Sequence, residues 1–300
     1  MFENLQIGPL TILFGKDNGK YPHGNSLFIR GANTSMLVDP CLGVVERDQA
    51  QVPVPDTILL SHVHEDHVAG VHLFPDASVL AHEADAPGMR DIAGLLDIYG
   101  FQGQLREEFT RTLTDEFFYV PRPDVQTFTG GQQFDLGGVW VEVLHTPGHT
   151  RGHCCFRITW EGEDRAFVYL GDIELTGFGP YYGDAWSDLE DFERSLATIR
   201  ATDAHWWLTF HHKGLITGRD KLLPMLDAFE AVIGQREQRL LDYLAEPHTL
   251  DEIVAHRFIY RPGVASTFVE NVERRSMSMH LQRLLATGRV SQSADYYQVS

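Results

Sequence analysis

The chain has 300 residues and a formal net charge of −18, so it can bury a large core as one big domain with at most a smaller appendix. So strong an acidic balance repels polyanions and argues against a nucleic-acid partner, its plain consequence being solubility. No run approaches the roughly eighteen apolar residues of a membrane span. The start MFENLQIGPL lacks the pattern of a signal peptide, and three cysteines (Cys41 and the adjacent Cys154 and Cys155) fit a reducing cytoplasm rather than a disulfide framework.

Residues 10–15 and 26–30 read as short strands and 36–39 as another, with Gly15, Gly19, Gly24 and Gly31 marking the turns. Asp39-Pro40-Cys41-Leu42-Gly43 closes this meander. The apolar run Thr57-Ile58-Leu59-Leu60 has the composition of a buried strand end, and it leads into SHVHEDHVAG at 61–70. Alternation sends His62 and His64 to one side, and the turn that follows can bring Asp66 and His67 round to face them. Imidazole and carboxylate are the donors that zinc, iron and manganese accept. A lone His at a strand end is ordinary packing, but three with an Asp in six residues point to a metal. Residues 68–73 can continue as a short helix and 78–81 return as a strand, turning the β-rich start into β-α-β.

Residues 82–124 hold helical stretches at 93–99 and 105–113 and a concentration of aromatics: Tyr99, Phe101, Phe109, Phe117, Phe118 and Tyr119. They read either as two helices packed on a sheet or as a lid or substrate wall. Strands resume at 125–128 and 133–136. The alternating segment 139–144 then delivers His145-Thr146-Pro147-Gly148-His149-Thr150, where Pro-Gly makes a tight turn that presents His149. A hairpin over 154–158 and 166–170 ends at Gly171-Asp172. Residues 187–200 spell a helix, with Ser187 as N-cap, Glu190 completing a capping box, and Leu189, Phe192, Leu196 and Ile199 on one face. The apolar strand 205–210 ends at His211-His212-Lys213-Gly214.

The tail differs. Residues 222–244 are an amphipathic helix, Thr249 and Glu252 cap a second that runs to about His256, 276–285 make a third, and 288–299 a terminal hairpin. Such an order spells a winged-helix-like module. Residues 232–300 hold eight Arg and eight Asp or Glu, which leaves 34 acidic against 16 basic residues in 1–231. A neutral module suits a structural or homodimerising role better than DNA binding.

The donors His62, His64, Asp66, His67, His149, Asp172 and one of His211 or His212 come from four separated segments, each at a strand's end, which implies one shared site. Here the sequence resembles the metallo-β-lactamase superfamily over roughly residues 10–220, through HxHxDH at 62–67, HTPGH at 145–149, Gly-Asp at 171–172 and the strand-terminal His near 211. The resemblance implies an α/β fold, a four-layer αβ/βα sandwich with metals at one end between the sheets. Residues 1–220 would form the catalytic domain, with 82–124 as a helical insertion or lid, and 221–300 the winged-helix-like module.

Carried over residue by residue, His62, His64 and His149 would hold a first metal. Asp66, His67 and His211 (with His212 as the alternative) would hold a second, with Asp172 bridging. Ser61 replaces the commoner Thr before the first His. His64 stands where oxygen-reducing di-iron relatives carry Glu, which favours hydrolysis. Two divalent ions, zinc or else iron or manganese, can share and acidify a water. Asp66 would orient the hydroxide and pass a proton to the leaving group. Lys213, Tyr181 and Tyr182 are candidate substrate contacts. The expected activity is a metal-dependent hydrolase of a small ester, thioester, lactone or related acyl compound, with no membrane partner. The alternatives are a phosphodiesterase or nuclease, a mono-iron persulfide dioxygenase, and a non-enzymatic binder that keeps the metal site.

Overall fold

The computed structural model describes residues 3–264 and 268–300. Short apolar runs in the first part build one sheet in chain order: β1 (Asn4–Ile7), β2 (Leu10–Leu13), β3 (Ser26–Arg30), β4 (Ser35–Val38), β5 (Thr57–Leu59), β6 (Ser78–His82) and β7 (Gln126–Phe128). Strands β1 to β4 pair antiparallel and β4 to β7 parallel. Parallel pairing needs crossovers, and these carry α1 (Leu42–Val45), α2 (Glu65–Val68), α3 (Ala86–Arg90), α4 (Ile92–Tyr99) and α5 (Gly103–Asp115).

The second sheet has the order β13-β12-β11-β10-β9-β8, from β8 (Gln133–Asp135), β9 (Val139–His145), β10 (Cys154–Trp160), β11 (Glu163–Tyr169), β12 (Trp206–Leu208) and β13 (Leu215–Thr217). Its one parallel pair, β11 with β12, is joined through α6 (Leu189–Ala201). After α7 (Arg219–Tyr243) come β14 (His248–Thr249), α8 (Leu250–His256), α9 (Val269–Ala286), β15 (Val290–Ser293) and β16 (Tyr296–Val299), with the three strands paired as β14-β16-β15.

Alternation fixes the layers. Val139, Val141 and Val143 of β9 are buried with Leu27, Leu37 and Ile58 of the first sheet and Leu95 and Ile98 of α4 in one core. On the other side, Leu189, Phe192 and Leu196 of α6 and Leu222, Leu226 and Phe229 of α7 pack against Val168 and Trp207. The result is the expected αβ/βα sandwich, with a smaller core at the far end around Leu240, Ile253, Met277 and Leu281. No described helix is long and apolar enough to cross a membrane.

Several elements differ from the sequence reading. Helix α2 begins at Glu65, so Asp66 and His67 lie inside it, and residues 71–73 form only a 3-10 turn. The N-cap of α6 is Asp188, whose side chain accepts from the Asp191 N–H at 2.8 Å. Ser187 instead donates its hydroxyl to the His149 carbonyl, because the loop before α6 is used to hold the neighbouring turn. Residues 82–124 contain three helices rather than two, and β1 and β13 add edge strands too short to stand out in the sequence. The capping box of Thr249 and Glu252 is formed.

Candidate metal centre

Every predicted donor sits past the end of a strand. His62 and His64 follow β5, Asp66 and His67 lie on α2, His149 is in the β9–β10 turn, Asp172 follows β11, and His211 follows β12. The folding of both sheets therefore brings them to one edge. His62 Nε2, His64 Nδ1 and His149 Nε2 stand 3.0–3.2 Å apart. Asp172 Oδ2 lies 3.2 Å from His149 Nε2, and its Oδ1 lies 3.0 Å from His67 Nε2. Asp66 Oδ2 is 2.9 Å from His211 Nε2. All seven residues are buried. Two donor groups result, His62-His64-His149-Asp172 and Asp66-His67-His211, each with its ligand atoms within 4.8 Å of one another.

The outer ring nitrogens show which inner ones carry lone pairs. His67 Nδ1 lies 2.8 Å from Asp39 Oδ2, and His211 Nδ1 meets the carbonyls of Gly19 and His23 at 2.8 and 2.9 Å. His149 Nδ1 meets the Tyr181 carbonyl at 3.2 Å, and His64 Nε2 lies 3.2 Å from Asp184 Oδ2. Carbonyls and carboxylates only accept, so these nitrogens hold the protons and leave His67 Nε2, His211 Nε2, His149 Nε2 and His64 Nδ1 bare. Ser61 gives its proton to Asp39 at 2.5 Å and can accept from His62 Nδ1 at 3.1 Å, which bares His62 Nε2 as well. Nitrogens so placed beside one another and two carboxylates need positive charge among them, either a metal ion or, without one, protons on His67 and His211, whose pKa burial would lower but the Asp172 carboxylate raises. His67 Nε2 and Asp172 Oδ1 are in addition buried without a hydrogen-bond partner, as are His64 Nε2 and Asp184 Oδ2, which pair by charge at 3.2 Å rather than through an aligned hydrogen bond. The donor set thus fits divalent metal ions.

Residues outside the predicted donor set hold this arrangement. Asp39, fully buried, accepts from the Ser61 N–H at 2.7 Å and the Tyr169 hydroxyl at 2.9 Å as well as from His67. Asp85 accepts from the Thr150 hydroxyl at 2.5 Å and the Gly152 N–H at 2.8 Å, fixing the turn that carries His149. Tyr99 of α4 stacks on His64 with ring centroids 4.9 Å apart and gives its hydroxyl to Glu65, which also receives the Tyr21 hydroxyl at 3.1 Å. His153, one of the two His that flank the third motif, accepts the Asp172 N–H at Nε2, whereas His145 stacks on His82 away from the site. Burial would raise the Asp172 carboxyl, but the imidazoles of His67 and His211 hold it well below the usual carboxylate range.

The residues at the mouth separate. His212 is half-buried, with Nε2 4.0 Å from Glu174 Oε2, and does not reach the donor groups; His211 does. Lys213 is exposed beside it. Tyr181 gives its hydroxyl to Asp184 at 3.1 Å, while its carbonyl serves His149. Tyr182 is buried with its hydroxyl on His280 at 2.9 Å, so it faces the C-terminal helices rather than a substrate. Glu174 was not anticipated. It joins Asp172 and His211 in a third group of potential ligands, and burial pushes its carboxyl up to about 7 against the pull of His211. Its signal in the sequence was only its place two residues beyond Asp172.

Residues 21–227 match the family model described as the metallo-beta-lactamase superfamily. An uncharacterized protein of Mycobacterium tuberculosis is 31% identical over 152 residues, 48% of this chain and 63% of that protein. An atrochrysone carboxyl ACP thioesterase of Passalora fulva is 29% identical over 212 residues, 65% of this chain and 50% of the thioesterase. The matched regions thus span less than two thirds of either relative. A metallo-beta-lactamase family protein from Thermus thermophilus has the same fold, with a TM-score of 0.72 at 24% identity, covering 98% of this chain and 99% of that one.

Proposed function

The chain belongs to the metallo-β-lactamase superfamily, and we propose that it is a hydrolase that cleaves a small ester, thioester, lactone or related acyl compound. The observation that carries this reading is the sharing of Asp172, whose two carboxylate oxygens face His149 in one donor group and His67 in the other. The likeness to a thioesterase supports an acyl substrate. On this reading, His62, His64 and His149 would hold a first ion and Asp66, His67 and His211 a second, with Asp172 able to serve both. An imidazole-rich first position suits zinc.

Two divalent ions bound there would supply a water acidified toward neutrality and positive charge for a developing oxyanion. The chain's own groups do the rest. Asp66, which burial alone would raise, is held below its ordinary range by His67 and His211, so it enters ionised and can take a proton and return it to the leaving group. Tyr99, stacked on His64 and backed by Phe101, walls the first position, while Lys213 stands exposed as a substrate contact. Residues 1–220 then form the catalytic domain, and 221–300 a winged-helix-like module with a structural or homodimerising role.

The test is metal analysis of the purified protein followed by assays on thioester, ester, lactone, phosphodiester and persulfide panels. Two bound metals with acyl hydrolysis are expected. A single iron with oxygen uptake, or cleavage of phosphodiesters alone, would overturn the reading.

A further inference from the structure

Two of the three imidazoles at the first position take their outer partners from one short segment, and that segment is held by the C-terminal helices. His149 Nδ1 meets the Tyr181 carbonyl at 3.2 Å, and His64 Nε2 lies 3.2 Å from the Asp184 carboxylate, which is itself buried. The loop after β11 that carries both has little regular structure of its own to fix it.

Its hydrogen-bond anchors in α7 and α9 lie 56 to 98 positions further on. Arg236 of α7, 2% exposed, donates to the carbonyls of Pro180 and Phe178, both at 2.6 Å, and its guanidinium covers the rings of Phe178 and Tyr182. From α9, Ser276 donates to the Tyr182 carbonyl at 3.3 Å and His280 meets the Tyr182 hydroxyl at 2.9 Å. Gly183 lies so close to α9 that a Cβ there would come within 2.4 Å of Val272 Cγ1.

The same α9 reaches the other side of His64. Arg275 donates to the carbonyls of Tyr99 and Gly100, the last of these at 2.8 Å, where α4 ends, and Tyr99 is the ring stacked on His64. The edge and the face of one imidazole are therefore set by groups whose backbones are both tied to α9.

We propose that the C-terminal helices α7 and α9 are part of the metal centre's construction: they hold residues 178–184 and the end of α4 where Asp184, the Tyr181 carbonyl and Tyr99 aim His64 and His149. Asp184 is the positioning residue for His64, and the tail sets the first position while leaving the second alone. The second position depends on Asp39 for His67, and on the carbonyls of Gly19 and His23 for His211, and among the described residues none of these has a hydrogen bond to α7 or α9. This rests on the metallo-hydrolase reading above. It adds a reason for the tail that neither DNA binding nor dimerisation requires.

The experiment uses the full chain and binds cobalt(II) in two backgrounds, His211→Ala, which isolates the first position, and His149→Ala, which isolates the second. Outer partners of metal-bound histidines are typically worth about 10- to 100-fold in metal affinity. Asp184→Ala is expected to weaken cobalt binding by that factor in the first background only. Asp184→Asn, which keeps an oxygen beside His64 but removes its charge, is expected to recover only part of the loss. Arg236→Met and Arg275→Met, far from the metal, are expected to weaken the first position several-fold and alter its cobalt absorption bands without changing the second. Where either Arg variant does not fold, Tyr182→Phe, which deletes only the hydroxyl on His280, takes its place. Distal variants that lower the melting temperature but keep the wild-type cobalt spectrum and affinity overturn the proposal, as does equal weakening of both positions. A wild-type protein that bound no metal would instead refute the hydrolase reading, and this proposal with it.

Discussion

Asp39 and His67, 28 residues apart, meet through a 2.8 Å hydrogen bond in a part of the core where neither has any exposure. The Asp39 carboxylate gathers four donors: the Ser61 N–H, the Ser61 hydroxyl, the Tyr169 hydroxyl and His67 Nδ1. It thereby ties the strand end that carries His62 to the helix that carries His67. Asp39→Ala leaves those donors unsatisfied, and breaking a buried charged partner of this kind costs about 3–5 kcal/mol. Asp39→Asn keeps the volume, and Asn tolerates the left-handed backbone at this position (φ 47°). Denaturant titration should show the large loss for Ala and a smaller one for Asn. Metal affinity in the Asn variant should fall by about 10- to 100-fold, since an amide offers one acceptor oxygen where the carboxylate offers two to Ser61, Tyr169 and His67.

The two adjacent histidines give a second prediction. His211 is 2% exposed with its Nδ1 on two carbonyls, whereas His212 turns out toward Glu174 and the mouth. His211→Ala should bind one ion in place of two and lose nearly all turnover. His212→Ala should keep both ions, with any effect confined to KM. Metal stoichiometry on the two variants decides it, and loss of an ion from His212→Ala would reverse the assignment.

Both of these rest on geometry that the sequence carried unevenly. Strand ends followed by His or Asp were legible because a strand's alternation and a Gly or Pro turn leave local marks, as in 139–149 and 166–172. The choice between His211 and His212 was legible only through resemblance, because one residue of backbone rotation decides it. Asp85 and Asp184 left no mark at all, and Tyr99 stood out only as one of several aromatics in 82–124. Each acts across 35 residues or more of chain, and a single Asp in a loop looks like a solvated turn until the fold sets it against an imidazole. Ser187 was misread for the same reason: its local pattern is that of a helix cap, but its hydroxyl is engaged by the His149 carbonyl.

His82 offers a pH test away from the metal donors. Burial lowers it to about 4, with the His145 ring stacked at 4.2 Å adding to the effect. The unfolded chain takes up a proton near pH 6.5 that the folded chain resists down to about 4. This contribution to stability is therefore complete above pH 6.5 and is lost as the pH falls from 6.5 toward 4. Melting temperatures of the wild type and His82→Gln, measured across that window, should converge as the pH falls. A constant difference between them would show that His82 does not titrate in this way.

Asp172 gives the most direct test of the centre as a whole, because its two oxygens face the two donor groups. Without a metal, that carboxylate is offset only by protons on the neighbouring imidazoles of His67 and His211. Stripping metal with a chelator should therefore abolish turnover and also lower the melting temperature, and re-adding zinc should restore both. A ligand present at a thousand times its dissociation constant stabilises the folded state by about 4 kcal/mol, which sets the scale of the thermal shift. Asp172→Ala removes the bridge but leaves the sheets and both cores intact. It should lose metal and activity, keep the wild-type far-ultraviolet circular dichroism, and show almost no thermal response to chelator or zinc. Full activity in that variant would refute the bridging role, and a large zinc-dependent thermal shift would mean that the two donor groups hold their ions independently.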